Sequence, residues 1–341
     1  MAAASGGDVA QGPQLARFRP GVPRFRVDAR IGVRILLTGA SSFTGLWFAR
    51  ELAAKGHTVV APLRSGDYDG IRAMRIAELK KIAAVVENAP FGSARFLDLI
   101  ADGTWDLLCH HAAQTQDYRS PGFDAAAALA ENTHNLGTVL KQLLSRGLSG
   151  VVLTGSVFEN DEGAGTAPLA AFSPYGLSKG FTWQSFRFLS ATMGFNLGKF
   201  VIANPFGPFE EPRFCSYLIR CWLKDEVPSV RTPLYVRDNI HVDLLAQAYR
   251  DWAERVPAQT SRIARFNPSF YVESQGAFAR RFADEMRPRL GRPCAISLLA
   301  QTDFAEPMVR INTDLVDGGR YGWSATDAWQ AAADYYLSMA S

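Results

Sequence analysis

The run Val33-Arg34-Ile35-Leu36-Leu37-Thr38, stopped by Gly39, constrains the fold more than any other stretch of the sequence. A short apolar run of this kind reads as a parallel strand buried on both faces. Gly39-Ala40-Ser41-Ser42-Phe43-Thr44-Gly45 follows as a turn rich in small residues. Residues 46–55 then have helical spacing, and Gly56 ends the helix. With a second strand over 57–63, the globular part opens on a strand–turn–helix–strand unit.

The alternation continues. Strands are expected at 94–97, at 105–110 (running into His111-Ala112-Ala113) and at 151–154, with a further strand at 200–202. A long helix is expected over 123–146, and Ser173-Pro174-Tyr175 starts another that runs to about Thr192. Strands alternating with helices predict an α/β fold with a doubly wound parallel sheet. After Asn204 prolines break the pattern. The expected organisation is therefore an extension over 1–30, a dinucleotide-binding domain over 31–204 and a mainly substrate-binding lobe over 205–341. Residues 236–254 or so return to the first domain. The extension is Ala/Gly/Ser-rich, then Arg-rich with prolines, and reads as a flexible tail rather than an import signal.

Composition excludes several classes. Of the 341 residues 48% are hydrophobic, enough apolar material to bury a core, so the chain is not disordered. Lys and Arg number 36 against 33 Asp and Glu, and a net charge of +3 makes no case for a nucleic-acid partner. Cys109, Cys215, Cys221 and Cys294 lack the paired short spacings of a zinc site and read as free buried thiols. Adjacent His110 and His111 point to opposite faces of a strand and cannot readily share a metal ion. His241 reads as a packed or hydrogen-bonded histidine. No run approaches the ~18 apolar residues of a membrane span and no secretory h-region opens the chain, so a cytoplasmic location with no membrane partner is expected.

The Gly39–Gly45 turn lies between a strand and a helix, as dinucleotide binding requires. The first glycine permits the tight turn, the last permits close helix–strand packing, and the helix N-terminus offers N–H groups to a pyrophosphate. Ser41, Ser42, Phe43 and Thr44 are the candidate contacts between the two glycines. Ser42 departs from the usual middle glycine, so its side chain either crowds the pyrophosphate or reaches it with a hydroxyl. At the end of the second strand Leu63 stands where a ribose-binding acid is expected, followed by Arg64. Arg64 can pair with a 2′-phosphate, which favours NADP over NAD. Asp98 and Leu99 are candidate adenine contacts.

Tyr175 and Lys179 are four apart and share a helical face. An ammonium and an oxidised nicotinamide would both favour the phenolate, letting Tyr175 take a proton from a carbinol or return one to a ketone. The preceding strand ends in Thr154-Gly155-Ser156, whose hydroxyls can hold the substrate oxygen.

These stretches resemble the extended short-chain dehydrogenase/reductase family, in its nucleotide-sugar epimerase/dehydratase branch. The resemblance covers residues 33–325 or so. It rests on Gly39 to Gly45, His111-Ala112-Ala113, Asn132, Thr154 to Val157, Ser173 to Lys179, Asn204-Pro205-Phe206-Gly207-Pro208, Arg237-Asp238-Asn239-Ile240-His241-Val242 and Tyr321-Gly322-Trp323. It implies a Rossmann domain, a C-terminal sugar-nucleotide lobe, a nucleotide-sugar substrate and a homodimer formed through two long helices per subunit. Carried over by position, Tyr175 is the acid/base, Lys179 its partner and Thr154 the strand-end hydroxyl, with Ser156 as a second. Ala112, Ala113, Asn132 and Lys179 join the cofactor contacts. Asn204 is a substrate contact. Arg231 or Arg237 faces the diphosphate, with Arg213 and Lys224 as further candidates.

The family's 4,6-dehydratases carry Asp-Glu after the strand-end Thr, where this chain has Gly155-Ser156, so dehydration is disfavoured. Epimerisation and ketoreduction remain open. Arg64 favours an NADPH-dependent reductase, of a keto-sugar or a non-sugar ketone, and the Asn204-Pro205 segment favours an epimerase. A non-catalytic dinucleotide-binding protein is the reading from another class; such proteins commonly lack the Tyr/Lys pair. Glu159, where the family usually has Gly, is either a special acid or a loop carboxylate.

Overall fold

A computed structural model describes residues 32–340. The expected extension over 1–30 lies outside the described residues. Seven parallel strands form the central sheet: β1 (Arg34–Thr38), β2 (Thr58–Pro62), β3 (Ala84–Val86), β4 (Leu107–His110), β5 (Gly150–Ser156), β6 (Asn196–Ile202) and β7 (Ile263–Phe266), in the order β7-β6-β5-β4-β1-β2-β3. The helices are α1 (Phe43–Ala54), α2 (Gly70–Leu79), α3 (Ala94–Ala101), α4 (Ala125–Asn132), α5 (Leu136–Ser145), α6 (Pro174–Met193), α7 (Phe214–Leu223), α8 (Val242–Arg255), α9 (Gln275–Leu290) and α10 (Ala325–Ala340).

Side-chain alternation splits the strands between two cores. Ile35, Leu37, Cys109, Val152 and Phe200 face α1 and α8, where Phe48 and Tyr249 stack with ring centroids 3.7 Å apart. Leu36, Leu108, Val151, Leu153 and Leu197 face α5 and α6. This is the doubly wound α/β sheet that the alternation predicted. A third core joins α7, α9 and α10 around Phe206, Phe278, Phe282 and Trp329. A smaller sheet pairs the strand Val236–His241 in parallel with Asn204–Phe206 and antiparallel with Tyr271–Ser274.

Three expectations need correction. Residues 94–97 are not a strand. Ser93 caps a helix there, its Oγ accepting from the Phe96 N–H at 3.2 Å, and the third strand is the short run Ala84–Val86. The helix expected over 123–146 is two helices, α4 and α5, because Asn135 adopts a left-handed backbone (φ 51°) and donates from Nδ2 to the Gly92 carbonyl at 2.8 Å. Helical spacing on both sides hid the break. Finally, β7 returns to the edge of the main sheet beside β6, although its sequence was read as part of the irregular C-terminal region.

Candidate active site

A cleft of ≈ 1500 Å³ opens at the C-terminal ends of β1, β2, β4 and β5 and extends to the smaller sheet. One end is the Gly39–Gly45 turn. Gly39 has φ 73°, and a Cβ there would stand 2.7 Å from the Ala112 nitrogen, so only glycine lets the two loops meet. Gly45 serves packing: a Cβ would run into the Gly39 carbonyl, and the residue does not line the cleft. Ser42 lines the cleft, and its hydroxyl is bonded within the protein. Its Oγ donates to the Gly39 carbonyl at 2.9 Å, accepts the Gly45 N–H at 3.1 Å as the N-cap of α1, and lies 3.0 Å from His111 Nε2. His111 also meets Thr44 Oγ1 at 3.0 Å, and burial lowers its pKa to about 3, so the ring is neutral. Phe43 and Thr44 begin α1, so their N–H groups have no intrahelical partner and are available to an anion where both residues line the cleft.

The wall beside the turn is built by Ala112 and Ala113, which follow β4. Thr38 Oγ1 accepts from the His111 and Ala112 N–H groups at 3.2 and 3.1 Å. Asn132 braces it, its Oδ1 accepting from the Gln114 N–H at 2.8 Å. At the end of β2, Leu63 is buried and Arg64 is paired with Glu131 at 2.9 Å, with Arg72 and Tyr68 also on the cleft. Asp98 and Leu99 sit on α3 and do not line the cleft. The loop after the true third strand does, through Ala89, Pro90 and Phe91.

At the middle of the cleft Ser173 caps α6, its Oγ accepting the Gly176 N–H at 3.0 Å. Tyr175 and Lys179 both line the cleft. Lys179 Nζ donates to the Thr154 carbonyl at 2.5 Å. Burial lowers the Lys179 pKa to about 8; the Glu159 carboxylate opposes that shift and the Lys199 ammonium adds to it. Burial holds the Tyr175 phenol well above the ordinary value, Glu159 and Tyr118 raise it further, and the cation that opposes them is Arg213 rather than Lys179. Desolvation outweighs the Arg213 charge. Thr154 projects to the α1/α8 face, where its hydroxyl is buried beside that of Tyr249, whereas the half-buried Ser156 accepts from the Phe158 N–H at 3.2 Å.

The model of the NAD dependent epimerase/dehydratase family matches residues 35–262. The chain belongs to this family. It is a nicotinamide-dinucleotide-dependent enzyme of the extended short-chain dehydrogenase/reductase type. Solved structures of similar fold include a UDP-glucose-4-epimerase from Stenotrophomonas maltophila with bound NAD and formylated UDP-arabinopyranose, at 20% identity and TM-score 0.70, covering 90% of this chain and 99% of that one. A UDP-glucose 4-epimerase from Thermotoga maritima with UDP-glucose aligns at 17% identity and TM-score 0.68, covering 90% of this chain and 100% of that one. The dTDP-glucose 4,6-dehydratase DesIV from Streptomyces venezuelae, with NAD and TYD bound, aligns at 20% identity and TM-score 0.66, covering 89% and 97%. Comparison with curated proteins returned no match.

In this family member the far end of the cleft is lined by Asn204, Arg213 and Arg237. Arg237 is already engaged, donating to Glu306 Oε2 at 2.9 Å and to the Pro307 carbonyl at 3.0 Å. Arg231 is exposed on an adjoining pocket of ≈ 360 Å³, and Lys224 is exposed after the last turn of α7; neither lines the cleft. Glu210 lines it unforeseen. It is buried, accepts from the Tyr336 hydroxyl at 2.5 Å and the Ser216 N–H at 3.0 Å, and burial raises its pKa to about 7. The acidic pair Glu210-Glu211 before α7 was its only sequence signal. His110 and His241 are packed and neutral, burial lowering both to about 3.

Proposed function

We propose that the protein transfers hydride at a ring carbinol or ketone of a nucleotide-activated sugar, using NADP and Tyr175 as acid/base, and that its net reaction is epimerisation. The observation that carries this reading is the single cleft that joins the open N-terminus of α1 to Tyr175 and Lys179, and those to Asn204, Arg213 and Arg237. The donors fit a nicotinamide dinucleotide: N–H groups of Phe43 and Thr44 for a pyrophosphate, and Arg64 with Arg72 for a 2′-phosphate. When bound, that cofactor supplies the hydride acceptor and donor. Burial keeps Tyr175 a neutral phenol, ready to give a proton to a ketone oxygen. To take one from a carbinol it needs positive charge, which Arg213 brings to the phenol. Asn204 and the cations beyond it orient the rest of the substrate. Gly155-Ser156 in place of Asp-Glu leaves no acid at this strand end, which argues against dehydration.

A second reading is an NADPH-dependent ketoreductase, acting on a keto-sugar or a non-sugar ketone. It is favoured by Arg64 and by the phenol standing ready as an acid. Four free cysteines suit a reducing cytoplasm, and among the described residues no helix is long and apolar enough to cross a membrane. We also propose a homodimer through α6. The test is incubation with UDP-, GDP-, CDP- and dTDP-sugars, with and without NADPH. Isomer exchange without net oxidation is expected, and consumption of NADPH selects the reductase instead. Tyr175→Phe is expected to lose about 10²–10⁴-fold in rate with cofactor still bound. Undiminished turnover in that variant overturns the acid/base assignment.

A further inference from the structure

Beneath the end of β5 lies a buried charge cluster that the mechanism has not used. Lys199 Nζ is 2.5 Å from Glu159 Oε2 and also bonds Glu162 Oε1, and all three side chains are at most 2% exposed. The other Glu159 oxygen, Oε1, accepts the Ser156 N–H at 2.7 Å. Glu162 has separate support: Asn267 Nδ2 donates to its Oε2 at 3.2 Å and Arg265 Nη1 lies 3.5 Å from its Oε1. Lys199 also lies 5.0 Å from the Trp183 ring centroid of α6 and fills the space left by Gly155, so Gly155, Lys199 and Glu159 are mutually dependent.

We propose that Glu159, gripped by Lys199 and by the Ser156 amide, is a positioning residue of the hydride-transfer site: it fixes the strand end 154–156, whose Thr154 carbonyl Lys179 also bonds, and serves there as counter-ion to Lys179. This rests on the reading of the Tyr175/Lys179 pair as the proton-transferring groups. Burial raises the Glu159 pKa, and the Lys199 and Lys179 ammoniums and the Ser156 N–H oppose that shift; as a carboxylate it disfavours the Tyr175 phenolate and supports the Lys179 ammonium. The other groups facing the pair are accounted for. Arg213 and Tyr118 act on Tyr175, Lys199 acts on Lys179, and His110 and His111 beside Lys179 stay neutral above about 3. Arg310 donates to the Glu159 and Glu162 backbone carbonyls at 3.0 and 3.2 Å, so the loop keeps its anchor when a carboxylate is neutralised.

Neutralising Glu159 therefore lowers the proton affinity of both catalytic groups and slides the whole pH dependence downward, which a merely structural loss does not do. The experiment uses the full chain with Glu159→Gln, Glu162→Gln and the charge-conserving Glu159→Asp. NADP dissociation constants are measured against pH by fluorescence, a readout that needs no substrate. The wild-type plot is expected to break at the Lys179 pKa of about 8. In Glu159→Gln the break moves to lower pH by about one unit, while in Glu162→Gln and Glu159→Asp it stays near its place. A break unmoved in Glu159→Gln, or moved equally in Glu162→Gln, overturns the proposal. Should Glu159→Gln fail to fold, a break in Glu159→Asp displaced as far as one unit overturns it too. Failure of the wild-type protein to bind either NADP or NAD overturns instead the cofactor reading beneath it.

Discussion

Ser42 shows how one residue can depart from a motif and still be accommodated. Its hydroxyl lines the cleft but is engaged by His111 and by the turn's own backbone. That His111 partnership could not be read from the sequence, because the two residues meet only across the β1/β4 pairing. Arg64 was legible, since the absence of an acid after Leu63 is a local fact. Its Glu131 partner was not, and half-exposed pairs of this kind are weak enough to yield to a stronger anion. Arg64→Ala is therefore expected to weaken NADP by about 5–20-fold and to leave NAD nearly unchanged, as read by separate fluorescence titrations. Wild-type protein that holds NAD more tightly than NADP sinks the cofactor preference. Tyr175 was recognised by spacing, but its raised pKa follows from burial, which spacing does not report.

Among the elements α6 carries most. Its inner face places Tyr175 and Lys179, and its outer face exposes Leu177, Phe181 and Phe188, the last at 68%. These recur on one helical stripe beside α4, and an exposed apolar stripe is a candidate contact surface. Two copies packed through α6 would cover it. Light scattering is expected to give twice the chain mass for the wild type, and Phe188→Glu is expected to give monomers that still bind cofactor. Wild-type protein that scatters as a monomer removes the dimer. The α4–α5 break and the third strand escape the sequence for different reasons. Helical spacing survives a single left-handed residue, and a short strand such as Ala84–Val86 is too brief to show a period.

Across the described body, buried histidines tie stability to pH. His110, His111 and His241 are each lowered by burial from 6.5 to about 3. The unfolded chain protonates them below 6.5 while the folded one resists, so stability falls as pH drops through that window, by up to ~1.4 kcal/mol per pH unit for each. Glu210, raised from 4.5 to about 7, works in the opposite direction between those values, since the folded form takes its proton first. Three rings against one carboxyl leave a net loss, so the unfolding midpoint is expected to decline as pH falls below 6.5 and to decline more steeply below 4.5, where Glu210 no longer offsets one ring. A midpoint that stays level into that acid range contradicts the burial of the three rings.

The sequence by itself determined the parallel α/β sheet, the dinucleotide turn and the Tyr175/Lys179 pair, because each rests on neighbours a few residues apart whose period or spacing is the physical cause. Only the tertiary structure decided that Lys179 bonds the Thr154 carbonyl, that Arg237 is held by Glu306 and that Lys199 bridges Glu159 and Glu162. Those partners come from separate strands and loops. Their energies depend on desolvation, which exists only once the sheet and α6 have closed over them.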